Sequence, residues 1–213
     1  MKDGSFSEAV RKHVLVCDGA MGTMIYNHGV YINRCFDELN LSGGDMIRQI
    51  HRNYISAGAD IIETNTFGAN RLKLEKHALA GSLEKIISAG VRLAREAVED
   101  SPVYVAGSVG PLGVPLGDEI TEPEARELFA QHIGCLIDNG VDLIILETFT
   151  DPRELALALA VARGINTSFP VAALAVFDEQ GQARGGLTPE DTVKLLEPLS
   201  PSMAGINCRL GAD

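Results

Sequence analysis

Acidic or polar side chains follow several short apolar segments of this sequence. They are Asp18, Glu63, Asn65, Ser108, Glu147, Asp178 and Cys208. If these segments are parallel strands, their carboxyl ends meet at one edge of the fold, where ligand sites form. Asp18 and Glu147 each directly follow an apolar run and precede a glycine or a hydroxyl residue, so we expect them to hold a ligand's ammonium group. Asp178 and Ser108 are equally well explained as helix caps.

The segment 18–23 begins with Asp18 and contains Gly19 and Gly22. Glycines allow a turn whose backbone N–H groups converge on an anion such as a carboxylate. A turn that binds a carboxylate, combined with acidic side chains that bind an ammonium group, is the chemistry of an amino-acid site.

Six apolar segments are predicted to be strands. They cover residues 14–17, 60–63, 103–107, 143–147, 171–177 and 204–208. Each is nearly continuous in Val, Ile, Leu and Ala, which is typical of parallel strands covered on both faces. Apolar residues with helical spacing occur between them, at 46–55 before Gly58 and at 83–98, and a short leading helix is predicted within 2–12.

Three further helices are predicted from their N-terminal signals. Asp151, Thr121 and Thr188 each precede a proline in the first turn, and an acidic residue follows three positions later. After Asp151 that acidic residue is Glu154, which we expect to bond back to the cap.

A weak internal repeat indicates the fold class. Residues 57–64 and 139–148 each contain a glycine that ends a helix, an aspartate before a strand and a Glu-Thr pair after it. Repeated strand–helix units predict a (β/α)8 TIM barrel, with six of the eight units in this chain and one domain over residues 1–213. A doubly wound sheet is the alternative, but the spacing of Gly19 and Gly22 fits its phosphate-binding loop poorly.

Composition narrows the partners and the compartment. The net charge of −11 argues against nucleic acid and anionic membranes as partners, because both are polyanions. No apolar run is long enough to span a bilayer and no apolar signal core leads the chain, so we expect a cytoplasmic protein. Four cysteines without CxxC spacing indicate free thiols, and Cys17 and Cys135 are expected to be buried packing residues.

Five motifs occur in an order that resembles a known family. They are 18–24 (DGAMGTM), 63–70 (ETNTFGAN), 107–111 (GSVGP), 146–149 (LETF) and 205–208 (GINC). The set is similar to the homocysteine-binding domain shared by cobalamin-dependent methionine synthase and betaine–homocysteine methyltransferase. Residues 34–42 resemble bacterial proteins in which this domain is fused to a methylenetetrahydrofolate reductase. The resemblance extends over essentially the whole chain.

The resemblance implies an activity and a set of roles. The family transfers a methyl group to the thiol of homocysteine, giving methionine, and binds that thiol to a zinc ion held by three cysteines. Cys208 matches the first of these cysteines. Asp18, Gly19 and Glu147 match homocysteine contacts, and Glu63 is a further candidate contact at the same edge. The run at 34–42 favours methylcobalamin, or methyltetrahydrofolate acting through cobalamin, over betaine as the methyl donor.

The chain departs from the family in its zinc ligands. The family's other two cysteines form an adjacent pair beyond Cys208, and this chain contains no such pair. We expect no substitute from Cys17, which should point away from Asp18. Nor do we expect one from Cys35 in a loop or Cys135 on an outer helix. The resemblance therefore implies a fragment of a longer enzyme, with open barrel edges that promote self-association or adjoin further domains.

Two other functions are weighed against the enzyme. An inactive partial barrel would bind a small amino acid or a partner without catalysis. A barrel with aldolase or hydrolase chemistry is less well supported, because no lysine follows a strand and no histidine cluster occurs.

Overall fold

The computed structural model describes residues 6–31 and 33–208. The helices are α1 Phe6–Lys12, α2 Met21–Asn27, α3 Leu39–Ser42, α4 Gly44–Ser56, α5 Arg71–Glu75, α6 Leu83–Val98, α7 Glu122–Asp138, α8 Pro152–Ile165 and α9 Pro189–Leu196. The strands are β1 Ile61–Glu63, β2 Tyr104–Val109, β3 Leu143–Phe149, β4 Val171–Ala175 and β5 Met203–Ile206. Short 3-10 helices cover Ala80–Ser82, Arg184–Gly186 and Glu197–Leu199.

The five strands form one parallel sheet in the order β1-β2-β3-β4-β5. Sequence neighbours are therefore spatial neighbours throughout, and the order never reverses. A doubly wound sheet reverses its strand order at a switch point, whereas a barrel adds each strand beside the previous one. The incomplete (β/α)8 barrel predicted from the sequence is confirmed.

Alternate residues of the strands serve two different cores. One face, with Ile62, Val105, Ile144 and Ala173, packs against the helices that follow the strands. The opposite face packs in a second cluster with α1, where the rings of Phe6 and Tyr104 meet edge to face at 5.4 Å. Strands β1 to β4 are thus covered on both faces, as their continuous apolar character predicts, whereas most of β5 is exposed.

The first of the six predicted strands is reduced to a single bridge. Cys17 pairs in parallel with Ile61, and Val16 and Asp18 exchange backbone hydrogen bonds with the segment before and within β1. Val14 is 92% exposed and Val16 is 55% exposed, so half of this segment is not packed as a covered strand would be. The prediction of a full strand at 14–17 was therefore wrong, although the segment lies where a barrel's first strand belongs.

The predicted helix starts are confirmed, with one correction. Thr188 and Asp191 form a reciprocal capping box, and Asp151 accepts from Arg153 N at 2.9 Å. Glu154 does not bond back to its cap. Its Oε1 instead accepts from Leu112 N at 2.7 Å, because that buried loop N–H needs a partner.

No helix within the described parts of the chain combines the length and the apolar character needed to cross a bilayer.

Candidate active site

A cavity of about 1120 Å³ opens at the carboxyl ends of the strands. Its lining includes every residue predicted as a substrate or metal contact. These residues are Asp18, Gly19, Glu63, Glu147 and Cys208. They lie up to 190 positions apart in the sequence, and parallel pairing of the strands brings them to one end of the sheet.

Glu63 is the last residue of β1, and Glu147 lies near the end of β3. Their carboxyl groups hydrogen-bond to each other. Burial is the main cause that raises the pKa of both, and the neighbouring negative charge raises that of Glu63 well above its usual value. Glu147 also accepts from Ser108 Oγ at 2.5 Å. Because Glu147 also accepts from Ser108, we expect Glu147 to be the acceptor and Glu63 the donor in the hydrogen bond between them.

Asp18 lies beside this pair, and its Oδ2 accepts from Glu63 N at 3.0 Å. Burial raises the pKa of Asp18 to about 7, the negative charge of Glu147 adds to the shift, and the hydrogen bond from Glu63 N opposes it. Three carboxyl groups with raised pKa values therefore converge in one part of the cavity. This is an environment that favours a bound cation.

Cys17 belongs to the same group of side chains, which corrects the prediction that it is buried packing and points away from Asp18. The residue is exposed, and its Sγ lies 3.6 Å from Asp18 Oδ1. Desolvation within the cavity, followed by the charges of Glu63 and Asp18, raises the pKa of the thiol. The single bridge in place of a strand breaks the strict alternation on which the prediction depended.

The end of β3 is irregular where it reaches the cavity. The register with β4 shifts between Leu146 and Phe149, and Thr148 adopts a φ of 62°, which is rare for a β-branched residue. Asn207 holds it there by accepting from Thr148 N at 2.9 Å and donating from Nδ2 to Thr148 Oγ1 at 2.9 Å. Such a bulge redirects side chains, and here it brings Thr148 Oγ1 within 3.6 Å of Cys208 Sγ.

Other polar residues at strand ends have mixed roles. Ser108 is a site residue rather than a helix cap, because its hydroxyl donates to Glu147. Asn65 also lines the cavity, but its Nδ2 bonds to Phe36 O at 2.7 Å and ties the 36–40 segment to the sheet. Asp178 accepts from the backbone of its own loop and is not part of the cavity wall.

The sequence did not single out Thr148 or Asn207 as positioning residues. Both belong to motifs on which the family resemblance depends, but only the bulge and the contacts across the sheet show their function. Gly19 has a packing reason, since a Cβ there would lie 2.9 Å from Tyr54 Oη.

The donor set of the cavity fits a zinc site only in part. Among the described residues, Cys17, Asp18 and Glu63 place their ligand atoms within 4.8 Å of one another, and Cys208 is not a member of that group. A catalytic zinc site needs three protein ligands around one point. Cys208 is exposed at the cavity and provides one thiolate, so these residues alone do not complete a three-thiolate site.

The fold and site define a barrel with an acidic pocket and a cysteine at its rim, and comparison with known proteins identifies the family. The model of the homocysteine S-methyltransferase family matches residues 15–213. The chain belongs to this family.

Related sequences and solved structures agree with this assignment. Methionine synthase of Mycobacterium tuberculosis is 30% identical over 225 residues, which cover 98% of this chain and 19% of that protein. Methionine synthase of Mycobacterium leprae is 29% identical with the same coverage of 98% and 19%. The chain thus spans a minor part of these curated relatives.

Two structures of the homocysteine methyltransferase MmuM from Escherichia coli share the fold. The oxidized form superposes with a TM-score of 0.81 and 25% identity, over 93% of this chain and 75% of that chain. The metallated form gives a TM-score of 0.80 with 24% identity, over 93% and 76% of the two chains.

Proposed function

We propose that this domain binds homocysteine and supports transfer of a methyl group to its thiol, giving methionine. The observation that carries the proposal is the convergence of Asp18, Glu63 and Glu147 at one end of the cavity. No lysine or arginine of the described residues forms an ion pair with any of the three. The α-ammonium group of an amino acid would supply the missing positive charge.

The carboxyl groups would share the work of binding. An ammonium group beside Asp18 and Glu147 favours their ionised forms and so lowers their pKa values. With the shared proton on Glu63, the negative charge of the cluster is limited to that of Asp18 and Glu147, and the ammonium group balances one of these two charges. The bound amino acid is thereby fixed at its α-carbon end.

The thiol end of the substrate would extend toward Cys208. A free alkyl thiol has a pKa near 8.5 and is mostly protonated at neutral pH, while only the thiolate is a good nucleophile. In the family a zinc ion removes that proton by coordination. Cys208 would provide one of the three thiolates, held near Thr148 and Asn207 at 3.6 and 3.7 Å, and the sequence contains no adjacent Cys-Cys pair to provide the other two.

The methyl donor is the second substrate. The similarity to methionine synthases supports a donor linked to cobalamin, such as methylcobalamin or methyltetrahydrofolate acting through it. The alternative function is a partial barrel that binds an amino acid without catalysis. Formation of methionine from homocysteine and such a donor, by the chain joined to the family's two further cysteines, separates the enzyme from this alternative.

Isothermal titration with L-homocysteine tests the binding site. Asp18→Ala and Glu147→Ala should each weaken binding by about 1.5–3 kcal/mol, the range for hydrogen bonds to charged groups. Asp178→Ala is the matched control, because Asp178 also follows a strand but bonds only within its loop. Equal affinities in the wild type and both site variants would refute the assignment.

A further inference from the structure

The wall of the cavity is not uniformly acidic. Lys73, Lys76 and His77, which are contiguous with α5, line the same space as the carboxyl cluster, as does Arg34. The whole chain carries a net charge of −11, so this group of cations in the cavity wall is opposite in sign to the charge of the chain. Arg34 is already paired with Glu38 at 3.0 Å, which leaves the lysines and the histidine.

Lys73 is held rather than freely solvated. It is half-buried, and its Nζ lies 4.7 Å from the centroid of the Phe67 ring. The stem passes close to Gly113, where an added Cβ would lie 3.1 Å from Lys73 Cε. A cation on an aromatic face with a packed stem loses little further freedom when it binds an anion.

The positive charge of Lys73 is only partly balanced by nearby negative charges. Burial lowers its pKa and the nearby charge of Lys76 adds to that, while Asp37 and Glu154 act in the opposite direction. Neither carboxylate lies within ion-pair distance of Lys73, and neither lysine has an ion-pair partner in the described parts of the chain. Lys73 and Lys76 line the same cavity with like charges, and an anion bound near both would reduce the repulsion between them.

The size of the cavity leaves room for a second molecule. About 1120 Å³ exceeds the roughly 300–1,000 Å³ of pockets that hold drug-sized ligands, and homocysteine is much smaller than such a ligand. If the carboxyl cluster holds the amino acid, the part of the cavity lined by Phe67 and the two lysines is left for a second molecule.

We propose that Lys73 and Lys76 form an anion-binding subsite that receives a carboxylate or phosphate group of the methyl donor or its carrier while homocysteine occupies the carboxyl cluster. The inference rests on the proposed function and extends it to the charge of the second substrate. A donor whose only charge is positive would meet two like charges at this wall. The subsite therefore selects donors that carry an anionic group away from the methyl group.

Binding of simple anions to the full chain tests the subsite. Triglutamate represents carboxylates, pyrophosphate represents phosphates, and neutral triglutamine is the matched ligand without charge. We expect triglutamate or pyrophosphate to bind in isothermal titration, more weakly as salt increases, and triglutamine not to bind. Binding of one anion alone assigns the group to carboxylate or to phosphate.

Substitution of the lysines locates the binding. Lys73→Gln and Lys76→Gln should each weaken anion binding about tenfold, the effect of one charge-assisted hydrogen bond. Lys85→Gln is the control, since Lys85 is an exposed lysine on α6 in a separate groove. Lys76 is exposed, so its variant tests the proposal even if Lys73→Gln unfolds.

Simultaneous binding distinguishes a donor subsite from a site for the carboxylate of homocysteine itself. We expect the affinity for homocysteine to be unchanged when the anion is bound and in both lysine variants. Mutual exclusion of the two ligands, absence of anion binding, or equal anion affinity in the Lys73, Lys76 and Lys85 variants would each overturn the inference. Anion binding that depends on the lysines, without any binding of homocysteine, would refute the proposed function and leave the anion site supported.

Discussion

The two halves of the internal repeat begin alike and end differently. Before β1, Asp60 Oδ2 accepts from Val16 N at 2.9 Å, and before β3, Asp142 Oδ2 accepts from Val105 N at 2.7 Å. In both halves the aspartate therefore fixes the backbone of the preceding segment. The repeated Gly-x-Asp pattern is a device that sets the register of neighbouring strands.

At the other end the repeated Glu-Thr pairs diverge. Thr64 is buried directly after β1, where its Oγ1 contacts Thr66 Oγ1 at 2.7 Å and accepts from Ser108 N at 3.2 Å. Thr148 is displaced by a bulge into a left-handed conformation and contacts Asn207 and Cys208 instead. One threonine holds the sheet together and the other shapes the cavity, so identical sequence does not imply identical function.

Replacement of each threonine by glycine should give the largest difference in stability between the two halves of the repeat. Thr64→Gly should lower the free energy of unfolding by about 2–4 kcal/mol, because it removes hydrogen bonds to buried groups and adds backbone freedom within the sheet. Thr148→Gly should change it by no more than about 1 kcal/mol, since relief of the positive φ offsets the lost contacts. Urea unfolding of the two variants provides the comparison, and similar losses at both positions would contradict it.

The aspartates at the strand starts should differ to a smaller extent. Asp142 also pairs with Arg95 at 2.9 Å and is more buried than Asp60. Asp142→Ala should therefore cost about 2–3 kcal/mol and Asp60→Ala about 1 kcal/mol in the same unfolding assay. A larger cost at Asp60 would show that the first segment depends on its anchor more than the inner strands do.

Substitution of the two glutamates should have the smallest effect of these changes. The two variants should differ in how their stability depends on pH. The raised pKa of Glu63 means that the folded state binds more protons than the unfolded state above pH 4.5, so stability falls as pH rises from there. The pKa of Asp18 is raised from its usual 3.8 to about 7, so stability also falls as pH rises between these two values. Glu63→Gln keeps a donor to Glu147 and should recover about 1 kcal/mol at pH 8 relative to pH 5.

Glu147→Gln is the matched variant for this experiment. Because we expect Glu147 to be the acceptor in this pair, Glu147→Gln should flatten the pH dependence of stability less than Glu63→Gln does. Unfolding curves at pH 5 and pH 8 measure both variants, and a stronger effect at Glu147 would place the proton on the other carboxyl group.

The sequence by itself determined the barrel class and several residues of the cavity lining. Continuous apolar strands alternating with helices, together with polar residues at the strand ends, are local patterns that parallel pairing converts into one acidic edge. Asp18, Glu63, Glu147 and Cys208 were therefore predictable as cavity residues. The helix starts were predictable for the same reason, because a cap depends on contacts within a few positions.

Only the tertiary structure decided what depends on contacts between distant segments. The bulge that turns Thr148 toward Cys208 depends on Asn207, which lies 59 positions further along. The thiol of Cys17 faces the carboxyl groups because its segment makes a single bridge instead of a regular strand. The position of the Lys73 side chain depends on the Phe67 ring and on close packing beside Gly113. Such side-chain directions depend on packing partners that no local pattern encodes, whereas the strand-end chemistry follows from alternation along each strand.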